Sequence, residues 1–192
     1  MDTTTIIELP RPDLTDTGSL AEALEKRASY REFSEREIHE KTLSAILWAA
    51  AGVNRPNGKR TSPSAYGINA TDIYTVLPDG ILLYDPLRHR LLPVAVGDYR
   101  NMVGEPEYAR RAYLNLIYFS DTDKYRQVGI PSDRLVFYGA AEAGHICQNV
   151  YLYCAASGLK CITRAGADYV GLRNLLGLGE EMIFSLAQTA GY

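Results

Sequence analysis

Arg27-Ala28-Ser29-Tyr30-Arg31-Glu32-Phe33 places two guanidinium groups and a hydroxyl close together on the chain. In an extended segment alternate side chains share a side, so Arg27, Ser29 and Arg31 can converge on one anion, with Ala28 between them. Arginine suits a dianionic phosphate because its planar fork forms paired, charge-assisted hydrogen bonds that lysine cannot match. Taken alone, arginines beside a helix end are more often plain surface.

Two further stretches supply company. Arg60-Thr61-Ser62-Pro63-Ser64-Ala65-Tyr66-Gly67 is a loop of small and hydroxyl-bearing residues. Its amides and hydroxyls can face a polar ring, and Gly67 is free to take positive φ. Gly158-Leu159-Lys160-Cys161-Ile162-Thr163-Arg164-Ala165-Gly166 runs as a strand into a small-residue turn whose amides can approach a ligand closely. The cysteines point elsewhere. Cys147, Cys154 and Cys161 are spaced by seven, and two helical turns separate the first two by about 10 Å, too far for a disulfide. There is no Cys-x-x-Cys, and His39, His89 and His145 lack ligand spacing. The thiols are expected to serve as small apolar core residues, with no metal bound.

The elements that must position these segments follow from periodicity. Residues 1–18, polar and carrying Pro10 and Pro12, form an extended arm; 19–192 form one domain. Ser19-Leu20-Ala21-Glu22 is a capping box opening a helix to about Arg27. Ser34-Glu35-Arg36-Glu37 is a second capping pattern ahead of Leu43, Ile46, Leu47 and Ala50, an amphipathic helix stopping at Gly52. Asn54–Ser64 is loop. Ile73–Leu77 and Ile81–Tyr84 are strands joined by the hairpin Pro78-Asp79-Gly80, with Leu91–Val96 a third strand. A helical segment at Tyr99–Ala109 precedes the buried strand Tyr113–Phe119. The longest helix runs from Ser132 or Asp133 to Gly158, about 25 residues, with a bare face of Gly139, Ala140, Ala141, Ala143 and Gly144 suited to close packing or to a dimer interface. Leu159–Thr163 is a short strand, Asp168 caps a helix ending near Gly177, and Met182–Ala187 is the last strand. Strands and helices mix without βαβ alternation, so the class is α+β.

A chain of 192 residues with 46% apolar content buries a full core, and a formal charge of −3 gives no reason to expect nucleic acid. No apolar run reaches membrane-spanning length, and Met1–Pro10 is not a signal peptide. A cytoplasmic location is expected, or a periplasmic one if a signal was removed ahead of Met1. The chain has fourteen tyrosines, and tyrosine suits pockets for planar ligands.

In order and spacing, these segments resemble the nitroreductase family over most of the chain. Arg-x-Ser-x-Arg-x-Phe comes first, then Leu47-Trp48-Ala49-Ala50, then Asn54-Arg55-Pro56-Asn57-Gly58-Lys59-Arg60-Thr61-Ser62-Pro63-Ser64-Ala65. Ala155-Ala156-Ser157-Gly158-Leu159 and the final Gln188-Thr189-Ala190-Gly191-Tyr192 complete the match. The Trp-Ala-Ala and Arg-Pro-x-Gly-Lys-Arg-Thr elements are similar to a short-chain branch related to azoline-oxidising enzymes. The resemblance implies a three-layer sandwich around a mostly antiparallel sheet, in an intimate homodimer with two FMN sites between subunits. It implies that Arg27, Ser29 and Arg31 grip the phosphate and ribityl chain, and that Pro63, Ser64 and Ala65 lie against the flavin of the other subunit. It also implies that Ala165 and Gly166 supply an amide near flavin N5.

Two departures stand out. Relatives often carry Asn and Gln after Pro-Ser, where this chain has Gly67 and Asn69. Many also place a basic residue beyond the final Gly-Tyr, a role Arg164 could fill. The implied activity is hydride transfer from NAD(P)H through FMN to a small planar acceptor, a nitroaromatic or quinone, with no protein side chain as catalytic acid or base. The alternatives are a flavin oxidase or dehydrogenase of one metabolite, or a non-catalytic flavin-binding dimer. Gly97–Arg111 and Asp121–Ser132 are expected to select the acceptor, with Tyr108, Tyr113 and Tyr125 as candidates for stacking.

Overall fold

Strand β5 (Leu114–Asp121) is apolar on both faces, and this places it at the centre of the sheet. Leu114, Leu116 and Tyr118 enter one core, while Ile117 and Phe119 enter another on the opposite face. The computed structural model describes residues 2–15 and 17–192; Met1 and Asp16, both within the expected arm, lie outside the described residues.

The other strands are β1 (Ile7–Glu8), β2 (Thr71–Leu77), β3 (Gly80–Asp85), β4 (Arg90–Val96), β6 (Lys160–Arg164) and β7 (Met182–Gly191). They order as β1-β4-β3-β2-β5-β7-β6, antiparallel throughout. Leu77 pairs with Gly80 across the Pro78-Asp79 turn. Gly80 is needed there, because a Cβ would stand 2.7 Å from the Ala95 carbonyl and 2.8 Å from Thr3 Oγ1.

Helices α1 (Leu20–Lys26), α2 (Glu40–Ala51) and α5 (Leu135–Ala156) cover one face; α3 (Glu107–Arg111) and α6 (Tyr169–Leu175) cover the other. The fold is therefore α+β in three layers. Leu43, Ile46, Leu47 and Ala50 are fully buried, and each large apolar side chain contributes about 1.5–3 kcal/mol. The capping box at Ser19 and Glu22 forms as expected, and Asp168 caps α6 by accepting from the Gly171 amide. No described helix is long and apolar enough to cross a membrane.

Several boundaries differ from expectation. Ser34 caps nothing, and α2 starts at Glu40 behind His39. The intervening segment is held extended by tertiary backbone bonds, Tyr30 N–H to Cys161 O and Ser34 N–H to Tyr192 O. The expected helix over Tyr99–Ala109 is split into a 3-10 turn, Arg100–Met102, and α3, with Gly104 at φ 149° between them. Asp121 caps an unforeseen short helix, α4 (Thr122–Gln127), through the Asp123 and Lys124 amides. A 3-10 turn at Ser132–Arg134 precedes α5, which is 22 residues long. Strand β7 continues beyond Ala187 to Gly191.

The N-terminal arm is extended but tethered. Ile7 pairs with Leu91, and Thr3 Oγ1 donates to Asp79 O. His89, itself at φ 50°, clamps the arm. Ser44 donates its proton to Pro10 O at 2.6 Å, so its oxygen accepts from His89 Nε2, 2.7 Å away. His89 Nδ1 is then bare and accepts from Tyr84 OH at 2.8 Å. A second ring proton would force the phenol to turn its own proton away, and among the described residues no charged group is bonded to the ring. Burial lowers the His89 pKa, against an opposing pull from the Pro10 carbonyl. With the folded value below the unfolded one, the unfolded chain protonates first. Stability is then lost as pH falls through about 6.5 and levels off below the folded pKa. Thermal unfolding should show a Tm that declines from pH 7 to 5. His89→Asn tolerates the left-handed backbone; its Tm should be lower at pH 7 but decline less steeply. An unchanged slope in that variant would clear His89 of the effect.

Candidate functional site

The Arg27–Arg31 segment leaves α1 with the Arg27 N–H still bonded to Ala23 O, then docks along β6 through Tyr30 N–H to Cys161 O at 3.1 Å. The Arg27 guanidinium carbon lies 5.5 Å from the ring centroid of Tyr151 on α5. Ser29 Oγ is 2.9 Å from Tyr151 OH, and the same phenol oxygen receives the Thr163 N–H at 2.8 Å. Ser29 and Arg31 are exposed and Arg27 is half-buried. Among the described residues neither arginine forms an ion pair. Ala28 and Tyr30 line a cavity of about 280 Å³ together with Lys26, Tyr151 and Lys160. Sequence reasoning missed Lys160, whose only signal is its place at the start of a strand that the arginine segment meets.

The Pro63-Ser64-Ala65 loop is anchored elsewhere on α5. Glu142, 5% exposed, accepts from Ser64 Oγ at 3.0 Å, Tyr125 OH at 2.8 Å and the Thr71 amide at 3.2 Å. Ser64 Oγ accepts in turn from the Asn69 amide, and Asn69 Nδ2 donates to Gly67 O. Tyr66, Gly67 and Asn69 all have positive φ, at 53°, 71° and 49°. Tyr66, left unassigned by sequence, projects at 77% exposure. The Asn69 side-chain donor is thus used to close its own loop.

Ala165 and Gly166 follow β6 directly. Both are exposed, and the space beside Gly166 is open where a Cβ would stand. Gly166 borders a cavity of about 460 Å³ with Asn101, Gly104, Tyr108 and Arg110. Arg164 is turned inward. It donates to Val103 O at 2.5 Å, Asn115 Oδ1 at 2.9 Å and Thr189 Oγ1 at 2.7 Å. Burial pushes its pKa down, and Nε has no partner. Its guanidinium braces the turn and is directed into the core, away from the open side of the Arg27 segment where the sequence expectation put it.

β6 brings Arg27–Arg31 and Ala165–Gly166 onto one strand. α5 keeps Ser64 away from them. Glu142 and Tyr151 are nine residues apart, about two and a half turns, so they lie on opposite helix faces with a rise of about 14 Å. Two of the expected stacking residues are core: Tyr125 is fully buried and Tyr113 is 8% exposed. Tyr108 packs at 6.0 Å from Phe33. The three thiols are free and buried, with Cys147 pushed up to about 12 by burial, so none is a ready nucleophile. No metal-ligating cluster occurs among the described residues.

Glu142→Gln should cost about 1–3 kcal/mol in urea unfolding, because one charged acceptor serves three donors. The loop around Tyr66 should also become the first site of proteolysis. Retention of wild-type stability and of an intact loop would show that the carboxylate does not anchor it.

Comparison with known proteins gives the same assignment over the whole chain. The nitroreductase family model matches residues 24–192. A protein of Methanocaldococcus jannaschii, provisionally named a nitroreductase, is 31% identical over 185 residues, 91% of this chain and 91% of its own. A crystal structure of a provisionally named nitroreductase from Ralstonia eutropha JMP134 superposes with a TM-score of 0.91 at 36% identity, covering 100% of this chain and 90% of that one. A nitroreductase-like protein of Desulfovibrio desulfuricans, solved in complex with FMN, shares the fold at a TM-score of 0.63 and 16% identity, covering 91% of this chain and 86% of that one. This chain belongs to the nitroreductase family.

Proposed function

We propose that the protein is an FMN-dependent oxidoreductase that takes hydride from NAD(P)H and reduces a small planar acceptor such as a nitroaromatic or quinone. The observation that carries this is the pair of unpaired guanidiniums flanking exposed Ser29, on the same strand system as the open Gly166 turn. Arg27, Ser29 and Arg31 would hold the phosphate, with Lys26 and Lys160 adding positive charge. The Ala165-Gly166 amides would face flavin N5. Bound FMN would supply the hydride relay itself, so no side chain need act as a catalytic acid or base.

The protein's part is to bind, orient and shield. The opposite-face anchoring of Ser29 and Ser64 supports a two-fold homodimer, in which Pro63, Ser64, Ala65, Gly67 and Asn69 of one copy meet the phosphate wall of the other. Exposed Leu20 and Leu24 on α1, and Val136 and Phe137 on α5, offer apolar surface for that contact. One observation favours a second reading. With one of the two Asn69 Nδ2 protons committed to Gly67 O, fewer side-chain donors remain on this loop for a ring, as suits a non-catalytic flavin-binding dimer.

Anaerobic titration separates these readings. FMN-loaded protein should bleach on addition of NADH or NADPH and regain its colour with a nitroaromatic or quinone. FMN that neither nicotinamide reduces would select the non-catalytic dimer, and failure to retain FMN would sink both. Arg27→Ala and Arg31→Ala should each weaken FMN binding about 10-fold or more, since each removes a charge-assisted contact.

A further inference from the structure

We propose that Tyr151 is a positioning residue that fixes Ser29 as a hydrogen-bond donor towards the anion held by Arg27 and Arg31. The argument turns on which way the protons point. A backbone N–H can only donate, so the bond from Thr163 at 2.8 Å makes Tyr151 Oη an acceptor. The phenol proton then needs an acceptor of its own, and Ser29 Oγ lies 2.9 Å away. Among the described residues no other acceptor is bonded to that phenol. Ser29 Oγ therefore accepts from Tyr151, and its own proton is directed away from the ring, towards the exposed side.

The result is a one-way relay of donors, from Thr163 N–H through Tyr151 O–H to Ser29 O–H. Such chains polarise along their length, so the terminal hydroxyl becomes a better donor to an anion than a free serine rotor. Burial sharpens the contrast, because Tyr151 is half-buried while Ser29 is exposed. The ring face has a separate task, with the Arg27 guanidinium 5.5 Å from its centroid. One tyrosine thus sets the direction of the serine through its hydroxyl and the place of the arginine through its ring. Because the first donor is in β6, the phosphate grip is also tied to the strand that ends at the Gly166 turn.

This inference rests on the FMN reading for its natural ligand, and the test keeps the two apart. Dissociation constants for FMN and for riboflavin, which lacks the phosphate, are measured by flavin fluorescence quenching. The proteins are the wild type, Tyr151→Phe, Ser29→Ala and the double variant. Tyr151→Phe keeps the ring under Arg27 and should weaken FMN about 5- to 10-fold, the worth of one ordinary hydrogen bond between neutral groups. Riboflavin binding should not change. The double variant should be no weaker than Ser29→Ala, because both substitutions break the same chain. Multiplicative losses, or an equal loss for riboflavin, would overturn the assignment. If Tyr151→Phe does not fold, Ser29→Ala at its exposed position decides: unaltered FMN affinity there overturns the proposal and a phosphate-specific loss upholds it. Inorganic phosphate, followed by 31P line broadening on flavin-free protein, is the independent probe. Phosphate binding that falls in Tyr151→Phe, without FMN retention, would sink the cofactor reading and uphold Tyr151. A wild type that binds neither would sink both.

Discussion

An α-helix turns by about 100° per residue, and the separation of the Ser29 segment from the Ser64 loop depends on that figure. Glu142 and Tyr151 lie nine residues apart on α5, hence on opposite faces. Each fixes one loop by its polar tip: Glu142 the Ser64 loop and Tyr151 the Ser29 segment. α5 can act as a common post only because it lies close to the sheet. At Gly139 a Cβ would stand 3.1 Å from Ser120 and 3.2 Å from Ser185 Oγ. A side chain there would require Ser120 and Ser185 to give way by a few tenths of an ångström. The small-residue face is therefore partly a packing device, while Ala140 and Ala141 on the same helix remain exposed.

Charge is divided on the same plan. Three arginines were candidates for an anion site, and burial separates them. Arg27 and Arg31 reach solvent with no ion-pair partner among the described residues. Desolvation costs them little, so an arriving phosphate gains most of their attraction. Arg164 is nine-tenths buried, and its Nη atoms are already bonded to a carbonyl, an amide oxygen and a hydroxyl. Removing it from those bonds would take away the Arg164 donor to Thr189 Oγ1 and leave Asn115 Oδ1 with the Thr189 hydroxyl as its side-chain donor among the described residues. It acts as a brace for the Gly166 turn, through a further contact of 3.4 Å to the Gly166 carbonyl.

Features legible in the sequence were those set by local rules. The Ser19 capping box, the period of Leu43, Ile46 and Leu47, the Pro78-Asp79 turn and the Asp168 cap all depend on neighbours within a few residues. The burial of β5 was legible because the strand is apolar on both faces, whereas the three-layer order came with the family resemblance. The failures share a cause. Ser34-Glu35-Arg36-Glu37 has the pattern of a cap, but Ser34 N–H bonds to Tyr192 O, a partner far along the chain that no local pattern encodes. α4 is too short and polar to show a period. Tyr113 and Tyr125 looked like ligand residues because a tyrosine's tip is polar; Glu37 and Glu142 satisfy those tips inside the fold. Glu142 and Tyr151 themselves were invisible, since their significance lies in contacts to residues 78 and 122 positions away.

The two halves of the site also differ in how they are held, and this bears on how the chain departs from its family's pattern. The Arg27–Arg31 segment is fixed by backbone bonds to β6 and by a proton relay that begins in β6, so little strain is stored there. The Ser64 loop carries three residues at positive φ, one of them tyrosine, and such conformations persist only where the surroundings over-determine them. Here Glu142 does so, through a carboxylate that fixes Ser64 without touching residues 66, 67 or 69. Because the anchor is upstream, the loop tip can change its side chains while its backbone path survives. Gly67 and Asn69 stand where relatives often carry Asn and Gln, and the loop still closes on itself through Asn69. In the proposed site the phosphate grip and the ring contacts would therefore be mechanically separate, so that divergence in the second would leave the first intact.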